Sequence, residues 1–139
     1  MNYFVDLVSE SHKFEDDRGN LEVLYETSNF VLKRSFSKKN VFRGLHVQKA
    51  PFLQTKLIRV ISGEIIDFLV DINSDTKKVF KKKITPDSDW IKIDSQFAHG
   101  FYAAEDTVFE YICDGVYNEL FEESYSIQNH LEKELLLKD

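Results

Sequence analysis

Apolar and polar positions alternate along most of this chain with a period of two. Between Glu64 and Ile72, the residues Ile66, Phe68, Val70 and Ile72 fall on one face of an extended segment, and Ile65, Asp67, Leu69 and Asp71 on the other. That pattern predicts one core face and one face carrying acids. Similar runs predict strands over residues 3–8, 21–25, 30–37, 41–47, 56–61, 64–72, 79–84, 90–93, 100–103 and 107–113. Turn chemistry separates them: Phe14-Glu15-Asp16-Asp17-Arg18-Gly19-Asn20-Leu21, Lys38-Lys39-Asn40, Ala50-Pro51, Pro86-Asp87-Ser88-Asp89, Asp94-Ser95 and Glu105-Asp106. Ser62-Gly63, set between two β-branched runs, predicts a hairpin. Many short strands with regular turns predict a β-sandwich or barrel. Only Ile127, Leu131 and Leu135 recur at helical spacing, which predicts a short C-terminal helix packed on the outside.

A chain of 139 residues, 42% apolar and 14% aromatic, has material for one domain, and no Gly- or Ser-rich run suggests a linker. The formal charge of -6 argues against a general nucleic-acid binder, which needs a basic face for phosphates. Lys77-Lys78 and Lys81-Lys82-Lys83 flank Phe80 and read as an edge strand that lysines keep from pairing. Residues 1–6 carry no basic leader pattern, and no apolar run approaches the ~18 residues of a membrane span, so a soluble cytoplasmic protein is expected. The one cysteine, Cys113, rules out an internal disulfide and reads as a packed thiol.

Charges inside strand-like runs need a use, because an ionised group facing an apolar interior is costly. Arg43, His46, Lys56, Arg59, Asp67, His99 and Tyr111 stand in such runs, and residues alternating inward on several strands of a jelly roll converge on a pocket. His46, Lys56 and Tyr111 form the informative subset. They supply a base near neutral pH, a cation and a weak acid, which is what proton removal next to a carbonyl requires. The cation would stand beside the enolate oxygen, where charge develops. Metal-binding cupins place two histidines two apart, but Gln48 follows His46 and only His99 is left as a further ligand. One histidine per motif does not build a tight divalent site, so no metal is expected.

Arg43-Gly44-Leu45-His46 with Gln48, Gln54-Thr55-Lys56-Leu57-Ile58-Arg59-Val60, Gly63-Glu64-Ile65-Ile66-Asp67, Phe97-Ala98-His99-Gly100-Phe101 and Phe109-Glu110-Tyr111 follow one another in a recognisable order. In order and spacing they resemble the dTDP-4-dehydrorhamnose 3,5-epimerase family, and Asp17-Arg18-Gly19 matches that family's early turn. The likeness runs from about residue 14 to residue 117. It implies an all-β, cupin-type jelly roll that works without metal or cofactor, usually as a homodimer. The implied substrate is a nucleotide-linked 4-keto-6-deoxyhexose destined for surface polysaccharide. Carried over, His46 resembles the base that takes the proton next to the C4 ketone, Lys56 the enolate stabiliser, and Tyr111 the acid acting from the opposite face. Arg18 and Arg43 match positions that meet the nucleotide diphosphate or line the sugar site, a task suited to guanidinium forks. Asp67 and His99 resemble a second pair near the pocket. Gln48 and Arg59, within the same motifs, complete the expected substrate-binding set.

Two departures mark this chain. The family orients its catalytic histidine with an aspartate from a longer C-terminal segment, and no matching motif follows residue 117 here. Val31-Leu32-Lys33-Arg34 stands where the family carries amide side chains that meet the substrate. The resemblance therefore implies a 3- or 3,5-epimerase, with a 3,4-ketoisomerase and a non-catalytic sugar-nucleotide-binding cupin as alternatives. The ketoisomerase motif resembles Arg-Gly-x-His-x-His, and Gln48 occupies its second histidine. Retention of His46, Lys56 and Tyr111 together argues against the binding relic. No role is assigned to His12 or His130.

Overall fold

A computed structural model describes residues 12–76 and 78–125. The expected first strand at residues 3–8 and the expected C-terminal helix lie outside those residues. Among the described residues the chain forms eleven strands: β1 (His12–Asp16), β2 (Gly19–Glu26), β3 (Phe30–Ser37), β4 (Phe42–Gln48), β5 (Thr55–Ser62), β6 (Ile65–Asp71), β7 (Val79–Ile84), β8 (Ile91–Ile93), β9 (Phe97–Ala103), β10 (Thr107–Asp114) and β11 (Glu122–Ser124). They build two antiparallel sheets, ordered β1-β2-β3-β10-β5-β8 and β11-β4-β9-β6-β7, the all-β jelly roll expected. No helix among the described residues is long and apolar enough to cross a membrane.

The sheet order corrects one expectation. Ser62 and Gly63 do not close a hairpin, because β5 pairs with β10 and β8 while β6 pairs with β9 and β7. The turn is a corner between sheets. Gly63 sits at φ 91° with its Cα against the Asp106 carbonyl and Thr107, where a side chain would collide. The Thr107 hydroxyl accepts from the Glu64 N–H at 3.1 Å and donates to the Glu105 carbonyl at 2.9 Å. These bonds tie the corner to the β9–β10 connection, so the chain leaves one sheet and continues in the other.

The two faces of β6 also differ from the simple expectation. Ile65 joins Ile58, Val60, Ile84, Ile93, Phe101 and Phe109 in a cluster between the sheets. Phe68 and Val70 join Leu45, Val47, Ala98 and Tyr102 in a second cluster on the other face of their sheet. Both faces of β6 are therefore packed, and Asp67 points into the space between the sheets rather than to solvent. Each fully buried aliphatic or aromatic side chain of such clusters contributes ~1.5–3 kcal/mol. β7 lies at the edge of its sheet with Lys81, Lys82 and Lys83 exposed, the lysine-guarded edge expected. Cys113 is a buried free thiol, again as expected. The stretch from Phe14 to Leu21, expected to turn, is strand at both ends: residues 12–16 pair with β2 and only Asp17-Arg18 turn.

Candidate active site

Strand β4 carries the central irregularity. Residues three apart on a regular strand face opposite sides, yet Arg43 and His46 both face the interior, because the register with β9 shifts between them. Gly44 makes this possible. It has φ 107°, and a Cβ there would stand 2.6 Å from the Gly100 Cα on β9. His46 then pairs across the sheet with His99, and Arg43 with Phe101.

The opposite sheet supplies the rest. On β5 the inward positions are Lys56, Ile58 and Val60; on β10 they are Cys113, Tyr111 and Phe109, in register with them. The phenol ring of Tyr111 stacks on Phe109 at 5.5 Å between centroids, with the Lys33 ammonium 5.7 Å from its own centroid. A cleft of about 260 Å³ opens between the sheets, lined by Arg18, Arg43, His46, Lys56, His99 and Tyr111 over a floor that includes Ile58, Phe101 and Phe109.

Charge in the cleft is one-sided. Among the described residues, no carboxylate lines it, while two guanidinium groups and one ammonium do. Asp16 stands at the rim, where Arg18 donates to its Oδ2 from Nε at 3.1 Å and from the terminal guanidinium nitrogen at 2.6 Å. Those bonds hold the Asp16 carboxyl down at about 2. Arg43 donates from Nε to the Ser37 hydroxyl at 3.0 Å, and burial, with Arg18 nearby, draws its guanidinium below the ordinary arginine range. Burial likewise lowers the Lys56 ammonium; the neighbouring Cys113 thiol opposes this and Lys33 adds to it. Burial raises the Tyr111 phenol far above its usual value, so it is a protonated acid at neutral pH. His99 and Asp67 form a buried pair, Nε2 to Oδ1 at 2.6 Å. His99 reaches the cleft wall and Asp67 stands behind it.

Two residues expected to bind substrate lie elsewhere. Arg59 follows Lys56 by three on a regular strand, so it faces outward. There it donates to Glu110 at 3.0 Å and lies 4.9 Å from the Trp90 ring centroid. Gln48 is buried at the end of β4, where its side-chain oxygen accepts the Asn118 N–H at 3.2 Å. Sequence reasoning also missed three residues that meet at the cleft's edge. Ser124 Oγ lies 3.2 Å and Glu122 Oε1 3.4 Å from His46 Nδ1, and Tyr117 donates its hydroxyl proton to Glu122 Oε2 at 2.6 Å. These residues carry no periodic pattern. Only the antiparallel pairing of β11 with β4 brings Glu122 and Ser124 to His46, and Tyr117 is joined to them through Glu122.

Comparison with known proteins agrees with this architecture. A family model described as dTDP-4-dehydrorhamnose 3,5-epimerase matches residues 6–131. The chain is similar to the dTDP-4-dehydrorhamnose 3,5-epimerase of Escherichia coli (strain K12), at 34% identity over 124 residues, 76% of this chain and 65% of that relative. It is similar at 35% identity over 127 residues to the enzyme of the same description from Methanothermobacter thermautotrophicus, covering 81% of this chain and 68% of the relative. The chain thus spans about two thirds of the length of these curated relatives. Among solved structures it resembles dTDP-6-deoxy-D-glucose-3,5-epimerase from Legionella pneumophila in complex with dTDP-4-keto-L-rhamnose. That match has a TM-score of 0.64 and 30% identity, and it covers 87% of this chain and 72% of the other.

Proposed function

The chain belongs to the dTDP-4-dehydrorhamnose 3,5-epimerase family, and from that premise we propose that it epimerises a dTDP-linked 4-keto-6-deoxyhexose at C3, or at C3 and C5, without a cofactor. One observation carries the reading: His46 and Tyr111 enter the same cleft from opposite sheets. Inversion at a carbon needs a base on one face of the ring and an acid on the other, and a sugar ring lying between the sheets has both.

The steps follow from the groups present. His46 takes the proton from the carbon next to the ketone, and the C–H electron pair forms the C=C of an enolate while the ketone π pair moves onto oxygen. The Lys56 ammonium stands beside that oxygen; burial, reinforced by Lys33, makes it a stronger hydrogen-bond donor as the oxyanion forms. Tyr111 then gives its proton to the same carbon from the other face. Arg43 favours the phenolate left behind. Water finally reprotonates Tyr111 and takes the proton from His46. Arg18 and Arg43 hold the diphosphate, His99 with Asp67 behind it borders the sugar, and the product is a precursor for surface polysaccharide made in the cytoplasm.

The test is proton exchange. Mixed with dTDP-4-keto-6-deoxyglucose in D2O, the protein should place deuterium at C3, or at C3 and C5, with inverted configuration by NMR and mass. Exchange accompanied by a ketone moved to C3 replaces this reading with ketoisomerisation, and an untouched sugar removes it. The proposal extends to a homodimer. Strand β1 ends its sheet with a free edge among the described residues, and Phe14 on it is 62% exposed, an arrangement suited to strand addition. Sedimentation at micromolar concentration should then show twice the 16.3 kDa chain mass; a monomer alone rules the dimer out.

A further inference from the structure

We propose that Glu122 is the positioning residue of His46, holding the Nδ1 proton so that Nε2 faces the substrate; this rests on the base role given to His46 above. The contact is built into the fold. Strand β11 pairs Glu122 with Gln48 and Ser124 with His46. Leu45 and Tyr125 exchange backbone hydrogen bonds at 3.0 and 3.3 Å, Lys49 N–H donates to the Phe121 carbonyl at 2.9 Å, and Lys49 and Glu123 form an ion pair. Gln48 fastens the start of the same segment through Asn118. Its burial thus serves the placement of Glu122 rather than the substrate.

The carboxylate is itself held. Tyr117 donates to Oε2 at 2.6 Å, which leaves Oε1 facing Nδ1 at 3.4 Å. That hydrogen bond to Glu122 raises the Tyr117 hydroxyl to about 12, so it stays a donor at neutral pH. Across β4 and β9 the neighbouring His99 has its Nε2 committed to Asp67. A neutral histidine carries one ring proton. With that proton turned toward Glu122, the lone pair lies on Nε2, and the imidazolium formed after proton removal keeps an anion beside it. Ser124, the other neighbour of Nδ1, offers no charge.

The experiment uses the full chain and the Glu122→Gln, Glu122→Asp and Ser124→Ala variants. It measures kcat and KM with dTDP-4-keto-6-deoxyglucose, and the imidazole 15N shifts of 15N-histidine-labelled protein, assigned by their loss in His46→Ala. Expected for Glu122→Gln is a kcat about 10- to 100-fold lower with KM little changed, and a smaller Nδ1–H population at His46. Glu122→Asp should recover much of kcat because the charge is retained. Three outcomes overturn the inference: unchanged kcat in Glu122→Gln, the loss appearing in Ser124→Ala instead, or a wild-type His46 without a dominant Nδ1–H form. If wild type moves no proton on this sugar, the proposed function fails, while the 15N shifts still decide what Glu122 does to the ring.

Discussion

Replacing His46 with alanine should lower deuterium uptake at the sugar carbon by about 10³-fold, within the 10²–10⁴ that a positioned general base supplies. Among the described residues, none is placed to substitute. His99 is the nearest imidazole across the sheet, but its Nε2 is bound to Asp67 in a buried pair. Lys56 stands on the opposite sheet, and Arg43 is a cation that brings no lone pair at neutral pH. The fold should tolerate the change, because the His46 side chain is 48% exposed and its polar contacts are confined to β11. Surface changes of that kind stay within about 0.5 kcal/mol. The decisive comparison is single-turnover exchange in D2O beside a thermal melt. A variant that keeps its melting point and loses exchange assigns the loss to chemistry. One that exchanges at the wild-type rate removes His46 from the mechanism.

Strands and site chemistry were legible in the chain to different depths. The limits of β3 and β7 coincide with their alternating runs, because nothing in those segments competes with the period of two. Ser62-Gly63 misled, because a two-residue turn says that the chain reverses but not which sheet receives it. The pairs Arg43/His46 and Lys56/Arg59 show the same limit more sharply. Each pair is three residues apart, so strict alternation would separate both. Alternation holds on β5 and sends Arg59 out to Glu110 and Trp90. It fails on β4, where Gly44 against Gly100 shifts the register and brings Arg43 inward beside His46. His46, Lys56 and Tyr111 were found by their chemistry, since each is an ionisable or polar group in an apolar run. Glu122 was not, because an acid in an irregular segment has no local signal and acquires its meaning only from the residue that pairing places beside it.

Lys56 is the residue where function and stability should part. It is half-buried and lines the cleft, where burial disfavours its charge most, Lys33 adds to that, and Cys113, Glu122 and Asp67 oppose it. Its folded-state pKa therefore lies below the ordinary lysine value of 10.5. Above the unfolded value neither state is charged and the penalty is absent. As pH falls toward the folded value the unfolded chain binds the proton first, so the penalty grows, and below the folded value it is complete. Lys56→Met removes that charge and keeps the apolar stem. The variant should melt at or above the wild-type temperature at neutral pH, and its advantage should fade as pH rises toward 10.5. Catalysis should move the other way. An interaction that strengthens only as the enolate oxygen gains charge is worth about 10²- to 10³-fold, and its loss appears in kcat with KM little changed. Thermal melts across pH beside steady-state kinetics read both effects on one protein. A loss of rate accompanied by a fall in melting temperature would make Lys56 a structural residue, and full activity in the methionine variant would leave the enolate to another donor.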